Sequence, residues 1–135
     1  MAMERTVTFT LGGIVFEYDE NKNRLNIKKH GISFRNAARV FFDYDRIEMF
    51  DDENSGGEER YDTIGRIASA DVLGDVEAGL IQPGAYYAAM GDILFVVYTE
   101  RIRRMDSGEP LDVIRLISAR MATSFERGLY YGKLE

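Results

Sequence analysis

The chain has 135 residues, a formal charge of −6, an apolar fraction of 45% and an aromatic fraction of 12%, which suits one ordinary soluble domain able to bury its core without staples. It contains no cysteine, which excludes a disulfide framework and a thiolate metal site, and its acidity excludes a generally sticky nucleic-acid binder, so any such site must be local. Met1 to Val7 lacks the apolar run of a signal peptide and no segment reaches the roughly 20 apolar residues that span a bilayer, so a cytoplasmic protein is expected.

Thr6–Thr10 and Ile14–Tyr18 are β-prone runs flanking Leu11-Gly12-Gly13, which predicts an N-terminal hairpin over about 6–18. Asp19 then caps a helix that ends at Gly31. On that helix Lys22, Asn26, Lys29 and His30 recur at spacings of three and four, predicting one face with two cations, an amide and the only histidine. Ser33 caps a second helix in which Phe34, Ala37, Ala38 and Phe41 form a buried stripe, with Arg35 and Arg39 facing outward. Asp43-Tyr44-Asp45 reads as a turn and Arg46–Asp51 as a strand. Asp51 to Glu59 gathers five carboxylates, yet lacks the spacing of a calcium loop and reads as an acidic hairpin tip. No metal or other cofactor is expected.

Arg60–Ile67 reads as a strand, Asp92–Thr99 as a central strand buried on both faces, and Leu111–Ser118 as its partner across the turn Arg103–Pro110. Ala68 to Met90, with Pro83-Gly84 in its middle, shows neither clean alternation nor a sustained helical stripe and reads as an insertion at about 68–90. A closing helix over Thr123–Tyr131 opens with the capping box Thr123-x-x-Glu126. These elements predict a single α+β domain over 1–135, with an antiparallel sheet of about four strands, two N-terminal helices and a C-terminal helix packed on it.

Phe16-Glu-Tyr-Asp-x-x-Lys22, Asn26-x-x-Lys29-His-Gly-Ile-x-Phe34, Ala37-Ala38, Phe42-Asp43, Glu59-Arg60, Gly65, Val97-Tyr-Thr-x-Arg101, Ile114-Arg-x-Ile-Ser-Ala-Arg120 and Glu126 with Tyr130-Tyr131 together resemble the BrnT family of toxins. The resemblance runs from about Phe16 to Tyr131 without the segment 68–90, and departs from the family at Tyr18, where a Trp is usual. It implies a RelE-like ribonuclease fold, an RNA endonuclease activity that arrests bacterial translation, a BrnA-like antitoxin that neutralises the toxin, and contact with operator DNA only through that antitoxin.

RNA cleavage without a metal needs a proton taken from the 2′-hydroxyl, a proton given to the leaving 5′-oxygen and cations for the phosphorane. His30 has the ordinary pKa for both proton roles, and equally suits capping of a helix C-terminus. Under the resemblance, Lys29 and Arg101 hold the scissile phosphate, His30 moves protons and Arg120 stabilises the transition state. Lys22, Asn26, Tyr98 and Arg115 are RNA-binding candidates on the same footing. Lys22 equally reads as a solvated charge, Tyr98 as core, and Arg115 and Arg120 as structural partners of Glu59, Asp62 or Glu126. A second reading is a non-enzymatic module that binds an antitoxin and tunes operon repression.

Overall fold

The computed structural model describes residues 4–53, 56–67 and 92–132. The expected insertion at 68–90 lies outside them. The chain begins with β1 (Thr6–Leu11) and β2 (Ile14–Asp19), an antiparallel pair joined through Gly12 and Gly13 at φ 55° and 82°. Positive φ is one reason for glycine at the turn; the other is space, since a Cβ on Gly12 would lie 2.3 Å from the Phe42 ring.

Helix α1 (Glu20–His30) starts where the Asp19 carboxylate accepts the Asn21 amide and ends at Gly31, φ 73°, whose amide donates to the Ile27 carbonyl. Helix α2 (Phe34–Ala37) opens under the Ser33 hydroxyl and tightens into a 3₁₀ turn over Ala38–Phe42. The stripe Phe34, Ala37, Ala38 and Phe41 is buried as its spacing predicts, and Val40 and Phe42 are buried with it. An α-helical stripe cannot turn three consecutive residues inward, and the 3₁₀ turn ends the helix here. Strands β3 (Ile47–Phe50), β4 (Tyr61–Arg66), β5 (Ile93–Arg104) and β6 (Pro110–Met121) follow, then helix α3 (Ser124–Gly132).

Among the described residues the sheet has six strands in the order β1-β2-β6-β5-β4-β3. This corrects the expected antiparallel sheet of about four. The N-terminal hairpin is part of the sheet, and its β2 runs parallel to β6 through Val15–Val113, Phe16–Ile114 and Glu17–Arg115. Strands so distant in sequence leave no turn signal to announce their pairing. All other neighbours are antiparallel, and an irregularity at Val97/Tyr98 resets the β5–β6 register.

Alternation along the strands gives the sheet two unlike sides. Phe16, Tyr18, Leu94, Val96, Tyr98, Leu116 and Ala119 pack under α1, α2 and the 3₁₀ turn as the main core. On the other side Ile64, Ile93 and Tyr130 form a smaller cluster beneath α3. Asp43, fully buried, accepts hydrogen bonds from Asp45 N, Arg66 N and the Tyr130 hydroxyl, at 3.0, 2.9 and 2.6 Å. Burial, then the bond to Asp43, pushes the Tyr130 hydroxyl pKa up.

Asn26 is buried rather than presented beside Lys22. Its amide donates to Ile32 O and Ala119 O, each at 2.8 Å, and accepts Ala119 N at 3.1 Å, tying α1 to β6. The expected shared face therefore loses its amide. Asn26→Ala leaves a buried amide and carbonyls unpaired and is expected to destabilise the fold by about 1–3 kcal/mol, measured by urea unfolding.

Candidate functional site

The side of the sheet away from α1 carries its charge. Glu17 stands between Phe16 and Tyr18, whose rings enter the main core, so its carboxylate points to the opposite side. That side chain is only 3% exposed. It accepts from Arg103 Nε and Nη2 at 2.9 and 2.6 Å and from Arg115 Nη1 at 2.6 Å, with Arg101 Nη1 at 3.7 Å. Arg115, itself buried, also meets Glu4 and the Thr6 hydroxyl. Burial pushes the Glu17 carboxyl pKa up, but the bonds from Arg103 and Arg115 outweigh it and hold the carboxyl below its usual range.

Arg101 closes a fork on Glu58, Nε and Nη2 donating at 2.9 and 3.1 Å. Arg120, toward the α3 end of the same side, forks onto Glu126 at 2.7 and 2.9 Å and lies 4.2 Å over the Phe95 ring. Glu126 keeps its capping role, accepting Thr123 N at 2.8 Å. Asp62 on β4 faces this side too, since its register partner Val97 lies two residues beyond Phe95, above which Arg120 sits. Burial, then a hydrogen bond and charge from Asp51, push its carboxyl up to about 6, against the pull of Arg120.

Two shallow depressions border the arginines. One, of about 410 Å³, is lined by Thr6, Thr8, Glu17, Arg103, Leu111 and Val113. A larger one, about 890 Å³, has Glu58 and Arg101 at its wall but is lined also by Ile14, Tyr61, Glu100 and Ile114, whose register puts them on the other side of the sheet.

The expected site residues thus divide. Arg101, Arg115 and Arg120 share one side of the sheet. Lys22 and Lys29 are exposed on α1 and His30 is half-buried at its C-terminus, on a helix that packs against the other side through Asn26. Tyr98 is 3% exposed, with Phe41 edge-on at 5.0 Å and Tyr61 stacked at 5.5 Å. Its ring faces are taken, which removes the expected platform for a base. Of the structural pairings open to the arginines, Arg120 takes Glu126, while Arg115 takes Glu17 and Glu4. Glu17 and Arg103 belong to this candidate site without having been expected there, and Asp62 was expected only as a structural partner of the arginines. A lone Glu alternating with two aromatics was the available signal for the first.

The chain is a small α+β domain in which Arg101, Arg103, Arg115 and Arg120 lie on one side of the sheet, each paired with a carboxylate. Residues 18–74 match the family model of the ribonuclease toxin, BrnT, of type II toxin–antitoxin systems. The resemblance drawn from the sequence therefore holds over that stretch, which contains α1, α2, β3 and β4 but neither β5 nor β6. No curated protein matches the chain. Among the described residues no helix is long and apolar enough to cross a membrane, and no group of three or more His, Cys, Asp or Glu gathers to hold a metal ion.

A carboxyl whose pKa is depressed by folding contributes stability above its ordinary value, and that contribution is lost as pH falls through the folded value. For Glu17 the ordinary value is 4.5. Glu17→Gln is expected to cost about 3 kcal/mol at neutral pH, because buried Arg115 loses its buried charge partner and keeps only exposed Glu4. Below pH 4.5 the gap to the parent should close, which denaturant titrations across pH 3–7 measure.

Proposed function

We propose that the protein is the toxin of a type II pair, an endoribonuclease that cuts RNA on the arginine side of its sheet without a metal, arrests translation and is neutralised by a BrnA-like antitoxin. The observation that carries this reading is the placement of Arg101, Arg103, Arg115 and Arg120 on one side of the sheet, the first three gathered at Glu17, in a chain whose residues 18–74 match a ribonuclease-toxin family.

In this reading the 2′-oxygen attacks the phosphorus and the bond to the 5′-oxygen breaks, leaving a cyclic phosphate and a 5′-hydroxyl. Arg101 holds the scissile phosphate through its fork, and Arg120 meets the charge that grows on the phosphorane. Arg103, paired with Glu17 but 46% exposed, offers a further donor beside it. The sequence reading gave the protons to His30, with Lys29 beside it on the phosphate. Because α1 is fastened to the opposite side of the sheet through Asn26, this reading gives His30, Lys29 and Lys22 no contact with the scissile phosphate. Asp62 is the carboxyl on the arginine side that is pushed up, and at about 6 it is ionised enough at neutral pH to take the 2′-proton and basic enough to use it. Water protonates the leaving oxygen. Operator DNA is reached only through the antitoxin.

The test is RNA cleavage by purified, antitoxin-free protein in EDTA. Arg101→Ala and Asp62→Asn are expected to lose at least about 100-fold in rate while staying folded by circular dichroism, and His30→Ala less than about tenfold. The parent rate should rise with pH through about 6, and Asp62→Asn should remove that rise. Folded parent protein that cuts no RNA yet binds the product of a neighbouring reading frame would instead establish the non-enzymatic module.

A further inference from the structure

We propose that Glu58 is an intramolecular stand-in for an RNA phosphate: it closes the Arg101 fork in the free protein and leaves it when RNA binds. The inference rests on the reading of the arginine side as RNA-binding and adds a built-in competitor to it. Four carboxylates engage the arginines, and their surroundings set them apart. Glu17 is 3% exposed, sits among three guanidinium groups and cannot swing away without stranding buried Arg115. Glu126 is 14% exposed and is also fastened to the Thr123 amide. Glu4 is exposed, but its arginine is only 8% exposed and offers an incoming group little room.

The Glu58–Arg101 pair differs on both counts, at 40% and 31% exposure. Glu58 accepts the Arg101 fork, and Arg115 and Arg60 act on it through their charge. A two-oxygen acceptor in the plane of the guanidinium, at 2.9 and 3.1 Å, is the arrangement in which a phosphate would bind the same fork. An exposed ion pair shifts an equilibrium by no more than about fivefold. A phosphate that also reaches half-exposed Arg103 can displace such a carboxylate. The cost of that displacement lowers the affinity of the free protein for RNA.

The test uses a fluorescent single-stranded oligonucleotide with 2′-O-methyl sugars, which lacks the nucleophile and reports binding alone. Glu58→Gln is expected to tighten binding about fivefold by anisotropy, while Glu53→Gln, the same charge change in the same acidic loop, moves it less than about twofold. Arg101→Ala should weaken binding and abolish the Glu58→Gln effect, as a double-mutant cycle requires. Equal effects of Glu58→Gln and Glu53→Gln would reduce Glu58 to a bystander charge. Weaker binding by Glu58→Gln would make it a support for Arg101 and would also overturn the proposal. Either result with a parent that binds leaves the RNA reading standing. An oligonucleotide bound by neither parent nor Glu58→Gln removes the RNA reading and this inference with it.

Discussion

A carboxylate buried between two strands that meet nowhere else in sequence organises this molecule. Glu17 and Arg115 are register partners in the parallel joint of β2 and β6 and are joined at 2.6 Å. Taking both charges out of water costs several kcal/mol per ion, and only close pairing offsets it. A slip of one residue would send Glu17 into the aromatic core and Phe16 out of it. The pair therefore makes one register tolerable, and that register attaches the hairpin to the rest of the sheet.

The same constraint builds the candidate site. Satisfying Glu17 draws in Arg103 and Arg115 and leaves Arg101 at the margin, so a structural need for partners concentrates guanidinium groups where the sheet is uncovered. The opposite side is consumed by packing: Phe16, Phe41 and Tyr98 interlock edge to face beneath the helices, and Asn26 fastens α1 over Ala119. Division of labour between the two sides follows from strand alternation alone.

Local signals were the legible part. Asp19 and Ser33 cap their helices, Gly31 ends the first in left-handed geometry, and Thr123 with Glu126 closes a reciprocal box, because each depends on residues within one turn. The buried stripe of α2 followed from spacing for the same reason. Non-local features were not legible. Partners of Glu17 lie 86 and 98 residues away, so neither the parallel joint nor the arginine cluster has a sequence period. Asn26 and Lys22 are near neighbours on the helix surface, yet the boundary between core and solvent runs between them, and spacing cannot locate that boundary. Tyr98 belonged to the central strand that the apolar run identified, but only the placement of Phe41 and Tyr61 decides that its ring is enclosed. Asp62 has an ordinary sequence context, and its perturbation comes from burial and from Asp51 across the β3–β4 turn.

In the proposed reading RNA meets the sheet and not the helices. The direct measurement is the arginine side-chain Nε–Hε region of an NMR spectrum, with His30 ring signals beside it, as a 2′-O-methyl oligonucleotide is added to the whole protein. Arg101, Arg103 and Arg120 are expected to move first and furthest while Lys29 and His30 shift little. Saturating shifts at Lys22, Lys29 and His30, with the sheet arginines unmoved, would contradict it and return the site to α1.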